Sequence, residues 1–129
     1  MSSLRAANLA TRDGTYTTSM ENPVRGSARA WCKADTAGNN LANFNVSSVT
    51  DIGVGTIEFN FATALPNANY VALPSIQVDS GATVQAYRVV VDNTTPPTTT
   101  KVRCVCERTN GTAVAGFDPN LWMMAVFSA

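Results

Sequence analysis

The sequence contains no histidine, which removes imidazole as a general base, proton shuttle or metal ligand. It is also poor in charge: Asp, Glu, Lys and Arg make up 14% of the residues, where soluble domains usually carry about a quarter. Nine basic and nine acidic residues cancel, and no run of one sign occurs. Duplex nucleic acid is bound mainly by neutralising phosphates with a basic patch, so nucleic acid is not an expected partner. No stretch reaches the ~18 apolar residues of a membrane span, and the first residues lack the apolar core of a signal peptide. Membrane insertion is therefore not expected, and synthesis in a reducing cytoplasm is. The three cysteines, Cys32, Cys104 and Cys106, cannot all pair within one chain, which speaks against a disulfide-stapled scaffold.

What is present points to strands. The chain has 129 residues and a mass of 13.6 kDa, enough for one domain with a real core. It is 45% hydrophobic. The polar remainder is largely neutral, with 16 Thr, 12 Asn and 9 Ser, a mixture that favours strands and turns over helices with charged outer faces. Near-zero net charge also protects poorly against association, so the chain is expected to work inside an assembly.

Residues 1–25 are sparse in apolar side chains and are broken by turn formers such as Asp13, Gly14, Asn22 and Pro23. They read as an extended arm that orders along a partner, and residues 26–129 as the body. In the body, alternation predicts strands over 27–34, 41–50, 56–63, 70–78, 83–91, 101–107 and 121–127, with Pro74 marking an edge, a bulge or a break. Seven or eight strands with turns every eight to twelve residues predict an all-β, antiparallel β-sandwich or jelly-roll-like domain. The terminal run 121–127, LWMMAVF, is apolar on both faces. Either the strand is covered on both sides within the chain, or one face packs on another subunit. Leu121, Trp122, Met124 and Val126 are the candidate oligomer interface.

Signals for chemistry are weak. Cys104 and Cys106 share one face of a strand, but a closed zinc site needs about four ligands, and core packing accounts for both. The acidic residues lie at turns and strand ends, without the paired or clustered spacing of a glycosidase or calcium site. No catalytic residue, metal or cofactor is therefore assigned. Trp31, between Arg29 and Lys33, is a candidate sugar-stacking platform. The loop carrying Thr94, Thr95, Thr98, Thr99 and Thr100 around Pro96 and Pro97 is a candidate binding tip, stiffened by its prolines and rich in hydroxyls.

Three segments in order carry a resemblance: VRGSARAW at 24–31, FNVSSVTDIGVGTIEFNF at 44–61 and ALPNANY at 64–70. They are similar to a G-x-A-K-A-W strand, an S-F-N-V-S-S-I-T-D-N-G-T-G hairpin and a T-x-A-M-P-D-A-N-Y turn of bacteriophage and prophage tail-fibre proteins. The likeness covers roughly residues 22–73. Cys32, Lys33 and the Thr/Pro insert depart from the pattern, which leaves ligand choice open. The resemblance implies a structural virion protein made in the host cytoplasm, trimeric, placed at a tail fibre and active in host attachment. It carries over no catalytic residues. The expected partners are two further copies of the chain, other virion proteins through the arm, and a host cell-surface glycan. A capsid decoration (cement) protein or other accessory virion protein is the alternative, and a glycan-cleaving enzyme a further one.

Overall fold

The computed structural model describes residues 8–10, 17–19, 26–79, 86–111 and 113–128. Among the described residues, nine strands form the body: β3 (Ala30–Asp35), β4 (Asn40–Phe44), β5 (Val46–Gly53), β6 (Thr56–Phe61), β7 (Val71–Gln77), β8 (Ala86–Val91), β9 (Lys101–Asn110), β10 (Ala113–Gly116) and β11 (Leu121–Phe127). They make two antiparallel sheets. One has the order β4-β3-β11-β7. In the other, β9 pairs with β8 along one edge and with β6 and then β10 along the opposite edge, and β5 pairs with β6. The expected β-sandwich is the architecture found. In the expected arm, β1 (Asn8–Ala10) and β2 (Thr17–Ser19) pair with each other as a short hairpin. The remainder of the arm, at 1–7, 11–16 and 20–25, lies outside the described residues, as do 80–85 at the start of the expected strand 83–91.

Inward-facing residues of the two sheets form one core. From the four-stranded sheet come Ala30, Cys32, Ala34, Trp122, Met124 and Val126; from the five-stranded sheet come Ile57, Phe59, Phe61, Val102, Cys104 and Cys106. Register explains the pairing of small with large. Ala34 lies opposite Trp122, and Cys32 opposite Met124, so the alternating small residues of β3 make room for the bulky ones of β11 and keep packing dense. The sequence signal was the strict alternation of both strands, and burial follows it residue by residue.

Two details differ from expectation, at Asn45 and at 109–120, and for Pro74 the edge is the reading found. The segment 41–50 is two strands in different sheets, because Asn45 adopts φ 56° and turns the chain from one sheet to the other. Asn tolerates this left-handed region better than most residues, and its side chain pins the corner. Nδ2 donates to the carbonyls of Arg29 and Thr63, each at 3.1 Å, and Oδ1 accepts from the Thr63 N–H at 2.7 Å. Pro74 does not interrupt its strand. Among the described residues β7 is bonded only to β11 in its sheet, so Pro74 sits on an edge strand, where its missing N–H breaks no ladder. The segment 109–120 contains β10, whose residues are all exposed and so show no burial alternation; its signal was Asn110 before Gly111, a hairpin dipeptide, with Gly111 at φ 70°.

Candidate functional site

The two outward faces of the sandwich differ in chemistry. On the four-stranded sheet, Phe44, Trp31, Ala125 and Leu73 stand side by side in register across all four strands. Phe44, Trp31 and Leu73 are 55%, 42% and 56% exposed. Phe127 beside Val71 continues the row on one side and Met123 beside Lys33 and Ser75 on the other. Four strands spaced at about 4.8 Å carry a face of a few hundred Å², the size at which exposed apolar surface on a soluble domain marks an interaction site.

This corrects the interface expected from the sequence. Strand β11 is apolar on both faces because one lines the core and the other lies on this outer sheet surface. Trp122, Met124 and Val126 are the core residues, with 2%, 3% and 0% exposure, and packing against the opposite sheet removes them from any interface. Leu121 is on the outward side, opposite Asp35 and Gln77. The outward set also includes Met123, Ala125 and Phe127, together with Trp31, Phe44 and Leu73 from neighbouring strands, which no single-strand pattern brings together.

The outer face of the five-stranded sheet carries cross-strand ion pairs, with exposed Ile52 and Val90 beside them. Glu58 lies directly opposite Arg103 across strands and is buried beneath its partners. Arg103 Nη2 donates to Glu58 Oε2 at 2.9 Å and Lys101 Nζ to Oε1 at 3.2 Å. Arg88 and Glu107 form a second pair. Between these pairs runs a groove of about 540 Å³, with Ile52, Val90 and Val105 among its lining and Asn93 and Thr94 at one end.

Burial pushes the Glu58 carboxyl up, but Arg103 and Lys101 outweigh it and hold the carboxyl below its usual range. Hydrogen bonds from Asn39 do the same for Asp35 and those from Thr94 for Asp92. A carboxyl depressed in the folded state gives stability that is complete above the ordinary carboxylate range, about pH 4, and is lost as pH falls through the folded value. The melting temperature should therefore drop between pH 5 and pH 2. Glu58→Gln should melt lower than the parent at pH 7 and show a shallower acid decline; parallel declines for the two proteins would remove Glu58 from the acid response.

The threonine loop is not a free tip. Thr94 donates its N–H and its hydroxyl to Asp92 Oδ1, at 2.8 and 2.6 Å. The Thr95 hydroxyl accepts from Arg103 Nη1 at 3.0 Å, and the Thr98 and Thr100 hydroxyls meet at 3.2 Å. The Thr99 carbonyl accepts from the Leu65 N–H at 2.8 Å. Tyr70 Oη donates to the carbonyls of Thr98 and Lys101, both at 3.0 Å, and burial pushes its phenol up to about 12. Most of the loop's polar groups are thus spent on its own shape. Trp31 belongs to the opposite sheet, so the tryptophan and the threonines do not form one site.

Among the described residues no group of three or more Cys, Asp or Glu comes together. The three thiols are free and buried. Burial pushes Cys104 up to about 12, with Asp92 adding to it, and Cys32 and Cys106 up to about 11. A thiolate is the reactive form, so an aromatic disulfide reagent at pH 8 should label almost nothing in the native protein and all three thiols after denaturation. Rapid native labelling would contradict the core assignment of β3 and β9.

A comparison of the chain with known protein families, curated proteins and solved structures finds no match.

Proposed function

We propose that this chain is a structural virion protein without catalytic activity, a small trimeric tail-fibre protein that attaches the particle to its host. The observation that carries the assembly part is the apolar outer face of the four-stranded sheet. An all-β subunit with one face that carries ion pairs and one with a continuous apolar row is suited to packing the second against its neighbours and leaving the first in water. The resemblance of residues 22–73 to tail-fibre proteins supplies the kind of assembly, and the arm at 1–25 the connection to other virion proteins. The lack of catalysis is read from the described carboxylates, which are committed to turns, hydrogen bonds and ion pairs, and from thiols held protonated in the core.

Two measurements test this. Sedimentation of the purified chain should give about three times 13.6 kDa, and a clean monomer at micromolar concentration would refute the trimer. Labelled protein on intact particles should appear at the tail by electron microscopy. Label over the capsid shell would favour a decoration protein, which needs the same kind of apolar docking face.

A further inference from the structure

We infer that the cleft beside Arg29 binds an acidic sugar, with the Arg29 guanidinium taking the sugar's carboxylate or phosphate. The cleft has a volume of about 700 Å³, within the range of about 300–1,000 Å³ typical of small-molecule sites. It opens where residues 27–29, the corner at Asn45 and residues 62–66 converge. The Asn45 amide bonds to Arg29 on one side and Thr63 on the other, so these walls are tied together before any ligand arrives. A preformed site loses less entropy on binding.

Arg29 is the anomaly in this cleft. Its side chain is half-buried, and Nε is fully buried with no hydrogen-bond partner. Buried donors are nearly always paired, because leaving water without a new acceptor is costly. No described carboxylate is left over to serve it. Glu58 holds Lys101 and Arg103, and Glu107 holds Arg88. Asp35 and Asp92 cap their own turns, Asp51 and Asp118 accept from the N–H groups of Gly53 and Gly55, and Asp79 accepts from Asn120. Arg108 lies over the Phe117 ring instead, 5.0 Å from its centroid. Arg29 therefore offers a guanidinium fork, half withdrawn from water, with no anion. That geometry suits a bidentate carboxylate or phosphate.

The other walls suit the body of a sugar. Phe44, on edge strand β4 at the margin of the apolar face, lines the cleft together with Pro66, and Thr63 adds a hydroxyl. A ring with one C–H face and an acidic substituent matches an aromatic wall beside a cation. The choice of a sugar as the carrier rests on the host-attachment reading; the oxyanion follows from Arg29 alone.

The test is an NMR titration of the full-length chain with glucuronate, glucose 6-phosphate and glucose. At least one of the two acids should shift the Arg29 Nε–H and Thr63 amide signals with an apparent Kd on the order of ~1 mM, and glucose should not. A response to glucuronate alone identifies a carboxylate site; one to glucose 6-phosphate alone identifies a phosphate site. Arg29→Gln should weaken binding at least about tenfold. If that variant does not fold, Arg29→Lys, which keeps the charge and loses the fork, should weaken it severalfold. The proposal is overturned if neither acid shifts these signals, if the shifts survive Arg29→Gln, or if acetate and inorganic phosphate bind as well as the sugar acids. Sedimentation of the same samples reports assembly separately: a monomer that binds the acids would sink the trimer and leave this site standing.

Discussion

Replacing Gly55 with alanine is expected to prevent the body from folding stably. Gly55 has φ 74°, and a Cβ placed on it would lie 2.4 Å from the Cys106 carbonyl oxygen, 2.6 Å from the Phe117 nitrogen and 2.9 Å from the Gly116 Cα. All three are backbone atoms, so no side chain can rotate away. Relief would require β9 and the end of β10 to separate from the β5–β6 turn. That movement would break the bonds from the Cys106 N–H to the Gly55 carbonyl at 2.8 Å and from the Gly55 N–H to Asp118 Oδ1 at 2.6 Å. Each buried group left unpaired costs about 1–3 kcal/mol, and the left-handed backbone adds about 1–2 kcal/mol for a residue with a Cβ. The total approaches the whole stability of a small domain, about 5–15 kcal/mol. Gly55→Ala should lower the melting temperature by at least about 10 °C or leave the chain insoluble. Gly26→Ala, at a position with nothing within 4 Å, should melt with the parent. A Gly55→Ala protein that also melted with the parent would show that the turn is not packed in this way.

The second large effect is on assembly. Trp31→Lys and Leu73→Lys replace half-exposed side chains in the apolar row of the four-stranded sheet without touching the core, so both variants should fold as monomers. A fully buried side chain of this kind contributes roughly 1.5–3 kcal/mol, and in a trimer each substitution is repeated in every copy. An ammonium group trapped in an apolar contact adds its own desolvation cost. The double variant should sediment at about 13.6 kDa at concentrations where the parent is trimeric. Ser48→Lys, on an exposed position of the opposite sheet, should leave the trimer intact. A double variant that remained trimeric would move the interface to another surface.

Much of the architecture was legible in order along the chain. The period-two alternation of β3, β6, β9 and β11 follows from the requirement that one face of each strand meet the other sheet, and it gave the fold class directly. Cys104 and Cys106 were readable as core for the same reason, since residues two apart in a strand share a face. What alternation could not tell was which of two apolar faces is the inner one. In 121–127 both are apolar, and the choice of Trp122, Met124 and Val126 as core was made by the partners across the sandwich. The outer patch was illegible for a related reason: Phe44, Trp31, Ala125 and Leu73 come from four strands far apart in sequence, and only strand order and register set them in one row. The corner at Asn45 was hidden because a single left-handed residue interrupts a strand without changing its composition. Arg29 looked like an ordinary polar position between alanines. Its missing partner became visible only when every described carboxylate could be assigned, because electrostatic pairing depends on distances that sequence separation does not supply.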